Sequence, residues 1–134
     1  MENGVIRNKL SRIEGYLARL EDIMPSDLEE YKRDWKKQMI AERILQILIE
    51  IVIDSANRLI AVKGWGPTAS SAESIRLLAA KKVVSSEEPL LKMIKFRNFI
   101  VHDYDKVDES IVYSIITRHL NDIRSFRDEI LNYE

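Results

Sequence analysis

The sequence predicts an all-α fold, an up-and-down bundle of four to five helices, on three observations. The chain of 134 residues holds only four glycines and three prolines, so it has few places to turn. From Ser26 to Lys63 it has neither. Apolar residues recur at spacings of three and four through most of its length, the period of a helix with one buried face.

In chain order, Ile6, Leu10, Ile13, Leu17 and Leu20 form an apolar stripe on a first helix from about Val5 to Ile23, which Pro25 ends. Ser26 and Glu29 resemble a capping box, and the glycine-free run behind them reads as a short helix followed by a very long one, or as a single bent one. Its second half, ERILQILIEIVIDSANRLIAV, is apolar over more than half its circumference and belongs at the centre of a bundle or in a subunit interface. GWGP, from Gly64 to Pro67, is a loop. Ser70 with Glu73 caps a third helix to about Lys81, and Ser85 with Glu88 a fourth. Asp105 or Asp108 starts a fifth, with Ile111, Ile115, His119 or Leu120, Ile123, Phe126 and Ile130 on one face. Short connections between these segments favour antiparallel neighbours, and no repeat or linker divides residues 1–134, which read as one domain.

Composition excludes several function classes. With no cysteine there is no disulfide scaffold, thiolate metal site or cysteine nucleophile, which suits a cytoplasmic protein. The N-terminus lacks a signal-peptide pattern, and the run ILQILIEIVI, interrupted by Gln46 and Glu50, is too short to span a bilayer, so no membrane partner is expected. Charge is balanced, 21 basic against 22 acidic side chains, so any contact with RNA has to be local. The two histidines fall on separate helices with no carboxylate at ligand spacing, and neither a metal nor a cofactor is expected. His119 reads as a helix-end dipole contact or a packing residue, and Trp35, Trp65 and the tyrosines Tyr16, Tyr31, Tyr113 and Tyr133 as packing groups.

The fourth helix carries the anomaly. Projected at about 100° per residue, Leu90, Met93, Ile94, Ile100 and Val101 share an arc, and Arg97 falls in its middle. Tyr104 returns to within roughly 20° of Arg97, whereas His102 points about 140° away and converges with them only where the helix ends. A guanidinium on a packed face needs a carboxylate partner or a cleft. Glu50 and Asp54 on the central helix are available as partners, in which case Arg97 merely fixes the register of the bundle. Asn98, four residues before His102, shares its face and is placed to orient the imidazole.

The segment RNFIVHDY, with Arg97, His102 and Tyr104 in the pattern RxxxxHxY, resembles the signature of HepT-like toxins of the HEPN superfamily, and ERILQILIEIVIDSANRLI resembles that family's central helix. The resemblance implies a homodimeric, metal-independent endoribonuclease toxin with Arg97 and His102 catalytic and Asn98 and Asp103 supporting. It further implies a nucleotidyltransferase antitoxin of the MntA type that silences the toxin by transferring AMP to Tyr104. The residue types suit that chemistry: RNA supplies its own 2′-hydroxyl nucleophile, histidine moves protons near neutral pH, and arginine matches phosphate oxygens. One motif histidine per chain leaves a general acid and a general base to one imidazole, which a two-fold dimer with a shared cleft remedies. Two other readings stay open, a non-catalytic nucleotide- or RNA-binding partner of the nucleotidyltransferase and a structural helical dimer with Arg97 in an ion pair.

Overall fold

The computed structural model describes residues 2–102 and 107–133, with side-chain environments for 4–100 and 107–133. Among the described residues there are eight helices and no strand: α1 (Glu2–Leu10), α2 (Ile13–Asp22), α3 (Leu28–Arg33), α4 (Trp35–Lys63), α5 (Ser71–Ala80), α6 (Glu88–His102), α7 (Glu109–Arg118) and α8 (Leu120–Tyr133).

Helix α4 is the axis of the fold. Its 29 residues span about 43 Å at the standard rise, and it packs against every other helix. Leu45, Leu48, Val52, Ala56 and Leu59 form one buried row, and Ile44, Ile49, Ile53 and Ile60 broaden it, as expected for a helix apolar on most of its circumference. The Asp34 carboxylate accepts from the Lys37 amide at 3.1 Å to start α4. Gly64 ends it in the left-handed conformation, φ 69°, which a residue without Cβ adopts cheaply. Beyond it, a Cβ on Gly66 would lie 2.8 Å from Ile60 Cγ2, so glycine also lets the GWGP loop close over the end of α4.

The elements forecast as single helices are subdivided. The first breaks at Ser11–Arg12, where Ser11 Oγ donates to the Asn8 carbonyl at 2.7 Å and the backbone tightens to an Arg12-to-Lys9 bond. The apolar stripe survives the break, with Ile6, Leu10, Ile13, Leu17 and Leu20 all buried. The next cap sits one residue later than Ser26 and Glu29 suggest: Asp27 accepts from the Glu30 amide at 2.8 Å, and Ser26 Oγ donates to the Glu30 carboxylate at 3.0 Å. Ser70 caps α5 as expected, accepting from the Glu73 amide at 3.1 Å. Ser85 does not act as the expected cap of α6; its amide donates to Glu129 on α8 at 3.1 Å, and α6 starts at Glu88 with Pro89 in its first turn.

Asp108, one of two alternatives, caps α7 by accepting from the Ser110 amide at 2.8 Å. The last helical stretch breaks at His119, whose Nδ1 lies 2.9 Å from Asp122 Oδ2 at the start of α8. Ile115, Leu120, Ile123, Phe126 and Ile130 are buried, but Ile111 is 49% exposed because the α7 face that carries it looks out beside α6. Trp35 departs further from its reading as a packing group: it is 63% exposed at the first turn of α4, with the Lys36 ammonium 5.8 Å from its ring. Tyr31 is fully buried, whereas Tyr133 is partly exposed and meets the Trp65 ring edge-on at 6.0 Å.

Candidate functional site

Helix α6 turns Leu90, Met93, Ile94, Phe96 and Ile100 into the core. Arg97 emerges among them with 29% of its side chain exposed, and its three nitrogens have different fates. Nη2 donates to Glu50 Oε2 at 3.5 Å, Nη1 donates to Asn98 Oδ1 at 3.2 Å, and Nε is buried without a hydrogen-bond partner. Glu50 is 37% exposed and also accepts from Gln46 Nε2 at 3.3 Å. Of the two carboxylates available to Arg97 from the sequence, Glu50 alone engages it; Asp54 lies 3.9 Å from Lys9 Nζ of α1. Asn98, placed by its spacing to orient the imidazole of His102, presents its carbonyl oxygen to Arg97.

Helix α6 is described as far as His102, and whether it ends there, as convergence with Arg97 requires, falls outside the described residues. The side chain of His102, and Asp103 and Tyr104 altogether, lie outside the described residues. What the described part forms is a guanidinium at the rim of the bundle, aligned by one carboxylate and one amide and partly open to solvent. Its long, 3.5 Å contact with Glu50 is one that a phosphate oxygen can displace, since a bidentate phosphate pair is shorter and stronger.

The surface around α6 is concave on two flanks. Toward α5, a groove of about 460 Å³ is lined by Arg76, Glu88, Lys92, Lys95 and Asn98. Toward α7, a groove of about 340 Å³ is lined by Lys92, Lys95, Phe96, Phe99, Asp108 and Ile111. Sequence reasoning missed Phe99, because a phenylalanine on an amphipathic helix reads as core; its position on the arc opposite Arg97 was the available signal. A further groove of about 550 Å³, beside Asn57, Gly64, Pro67 and Ser70, is not lined by Arg97 or Asn98. The hydroxyl of Ser74 beneath it is fully satisfied by Asn57, Thr68 and the Ser70 carbonyl.

A second polar cluster joins α3, α4 and α7. Burial, then the charges of Glu42 and Glu109, push the Tyr31 hydroxyl well above the usual phenol range, and that hydroxyl has no hydrogen-bond partner. Burial and the nearby Glu109 likewise raise the Glu42 carboxyl. Among the described residues no group of three or more histidine, cysteine or acidic side chains is arranged to hold a metal, and no helix is long and apolar enough to cross a membrane.

A bundle that is all-helical over the described residues, built on one long axial helix with an Arg-x4-His motif on a helix packed against it, defines the HEPN class. The chain belongs to the ribonuclease HepT-like family of that superfamily, whose family profile matches residues 13–130. It is similar to the mRNA nuclease HepT of Shewanella oneidensis, 32% identical over 96% of this chain and 97% of that protein. It is also similar to the tRNA nuclease HepT of Aphanizomenon flos-aquae, 26% identical over 99% of this chain and 92% of that protein. Its fold matches that of the tri-AMPylated Shewanella oneidensis HEPN toxin solved in complex with MNT antitoxin, with TM-score 0.86 and 30% identity, covering 97% of this chain and 98% of that one.

Proposed function

We propose that the protein is the toxin of a toxin–antitoxin pair, a metal-independent endoribonuclease that acts as a homodimer in the cytoplasm, with residues 1–134 forming one HEPN-like domain. The observation that carries the proposal is Arg97: a partly open guanidinium held by a displaceable carboxylate, with Nε unpartnered, five residues before His102 on the same helix. Nuclease relatives over nearly the whole chain support the same reading.

The reaction needs little from the protein. The RNA 2′-oxygen attacks the adjacent phosphorus while its proton passes to one imidazole. As the bond from phosphorus to the 5′-oxygen breaks, a second, protonated imidazole supplies the proton that the leaving oxygen takes. His102 of each copy fills one of these roles. Arg97 donates to the non-bridging oxygens as charge builds on them, and Asn98 and Asp103 support the pair.

The exterior of α4 supports the dimer. Met39 and Ile40 are 54% and 42% exposed, and the row Met39, Arg43, Gln46, Glu50 runs at spacings of three and four from this apolar patch to the partner of Arg97. A second copy covering that row brings two Arg97–His102 sets to one cleft.

A cognate nucleotidyltransferase of the MntA type is the antitoxin in this reading, and transfer of AMP to Tyr104 is the off switch, since a bulky anion beside the motif competes with RNA for Arg97. The fold match to an AMPylated toxin bound to its antitoxin supports this. The test is incubation of labelled RNA with the unmodified protein and a chelator. Cleavage is expected, with loss on His102→Ala and a gain in intact mass of one or more AMP groups, absent from Tyr104→Phe, after treatment with the nucleotidyltransferase and ATP. Unchanged cleavage by His102→Ala overturns the assignment.

A further inference from the structure

Lys92 and Lys95 form a ridge on the outer side of α6 that borders both of its grooves. The groove toward α5 is basic, with Arg76 joining the two lysines against Glu88, and it reaches Asn98, the hydrogen-bond partner of Arg97. The groove toward α7 differs in character. Buried Phe96 forms part of its lining, and Phe99 and Ile111 flank it with 41% and 49% of their surfaces exposed. Asp108, the carboxylate among the described residues that line it, is occupied in capping α7 through the Ser110 amide at 2.8 Å.

Lys92, Lys95 and Phe99 follow one another at spacings of three and four, so they share a face of α6. Phe99 lies on the arc of α6 opposite Arg97 and three residues before His102, so a strand that reaches both Phe99 and Arg97 has to cross the lysine ridge. An apolar segment of a partner protein has no use for the lysine ridge. A nucleotide has use for both features, because it pairs a flat apolar face with an anion.

We propose that the α6/α7 groove is a nucleobase subsite for an unpaired nucleotide next to the scissile phosphate. The base stacks on Phe99 with Ile111 at its edge, Lys92 and Lys95 hold the flanking phosphates, and the strand crosses the ridge toward Asn98 and Arg97. The proposal rests on the ribonuclease reading and adds a substrate class, single-stranded RNA, because a base stacked within a duplex cannot enter the groove.

The test uses single-stranded RNA that carries 2-aminopurine and is 2′-O-methylated throughout, so that it binds without being cut. Stacking is read as fluorescence quenching. The wild-type protein is expected to quench, Phe99→Ala and Phe99→Leu to raise Kd about 5- to 100-fold, and Phe99→Trp to retain binding. Replacing Lys92 or Lys95 with Gln is expected to lower the slope of log Kd against log salt by about 0.7 for each phosphate that the variant no longer neutralises. With cleavable RNA, the KM of Phe99→Leu rises more than its kcat falls. Circular dichroism verifies that each variant is folded, which the exposure of Phe99 favours.

Equal quenching and equal Kd for wild type, Phe99→Leu and Phe99→Ala overturn the subsite. So does loss of dimer, or of AMP transfer by the nucleotidyltransferase, in Phe99→Ala with RNA binding intact; the groove then belongs to a protein. If wild type cleaves RNA in chelator while the Phe99 variants match it, the subsite fails alone. If wild type neither cleaves nor binds RNA, the ribonuclease reading fails and the subsite with it.

Discussion

Replacing Arg97 with alanine separates a catalytic arginine from a structural one, and the geometry sets the size of each effect. At the observed 3.5 Å, the attraction between Arg97 and Glu50 is about 5 kcal/mol at an effective dielectric of 20 and about 1 kcal/mol in bulk water. With 29% and 37% of the two side chains exposed, the pair lies toward the solvated end of that range. Desolvation of both groups offsets part of the attraction, so the net contribution is about 1 kcal/mol. A domain of 134 residues has a total stability of roughly 7–20 kcal/mol. Arg97→Ala therefore stays folded, with a Tm lowered by about 3–5 °C, read by calorimetry. Its RNA cleavage should fall by at least about 100-fold, the usual cost of removing a donor aimed at developing phosphoryl charge. An unfolded variant, or a folded one that still cleaves at the wild-type rate, refutes the reasoning.

Other perturbations probe the assembly and the fold. Met39→Glu combined with Ile40→Glu, on the exposed row of α4, should convert dimer to monomer in light scattering and abolish cleavage while leaving helical content unchanged. Glu42 is a carboxyl whose folded pKa lies above its ordinary value of 4.5, so its effect favours the fold below about pH 4.5 and opposes it once pH rises through the raised value. Glu42→Gln should accordingly raise Tm at pH 7 and change it little at pH 4. Lys82, just beyond α5, holds a left-handed φ of 63°, where a side chain is strained. Lys82→Gly should stabilise the protein by roughly 0.5–1 kcal/mol after the added freedom of the unfolded chain is counted, a rise in Tm of a few degrees.

The axial helix was legible in the sequence because nothing else accommodates an apolar run of its length and breadth, and Ser70 and Asp108 marked two helix starts through their capping side chains. The breaks at Ser11–Arg12 and His119 were not legible. An apolar stripe passes through both, since Leu10 to Ile13 and Ile115 to Leu120 keep the core covered whether or not the backbone bonds continue. Ser26 and Asp27 are adjacent residues of similar capping strength, and only the position of Glu30 chooses between them.

At the site, the misfit of Arg97 on a packed face and the availability of Glu50 could be read from helical spacing, because both depend on angles along regular helices. That Asn98 would turn to Arg97, and that Asp54 would turn to Lys9, depends on how the helices cross, which spacing does not encode. The exposure of Phe99 and Ile111 is of the same kind: each belongs to an amphipathic helix, and only the angle between α6 and α7 leaves a groove between them. The Tyr31, Glu42 and Glu109 cluster depends on α7 packing against α3 and α4, which are remote from it in sequence, and left no local signal.

The central claim is that Arg97 and His102 cleave RNA through its own 2′-hydroxyl. The most direct test is to identify the ends of the RNA fragments produced in chelator by the unmodified protein. Fragments ending in a 2′,3′-cyclic phosphate with 5′-hydroxyl partners, absent with His102→Ala, are the predicted result. Fragments with 5′-phosphate and 3′-hydroxyl ends, or cleavage that needs a divalent metal, would contradict it.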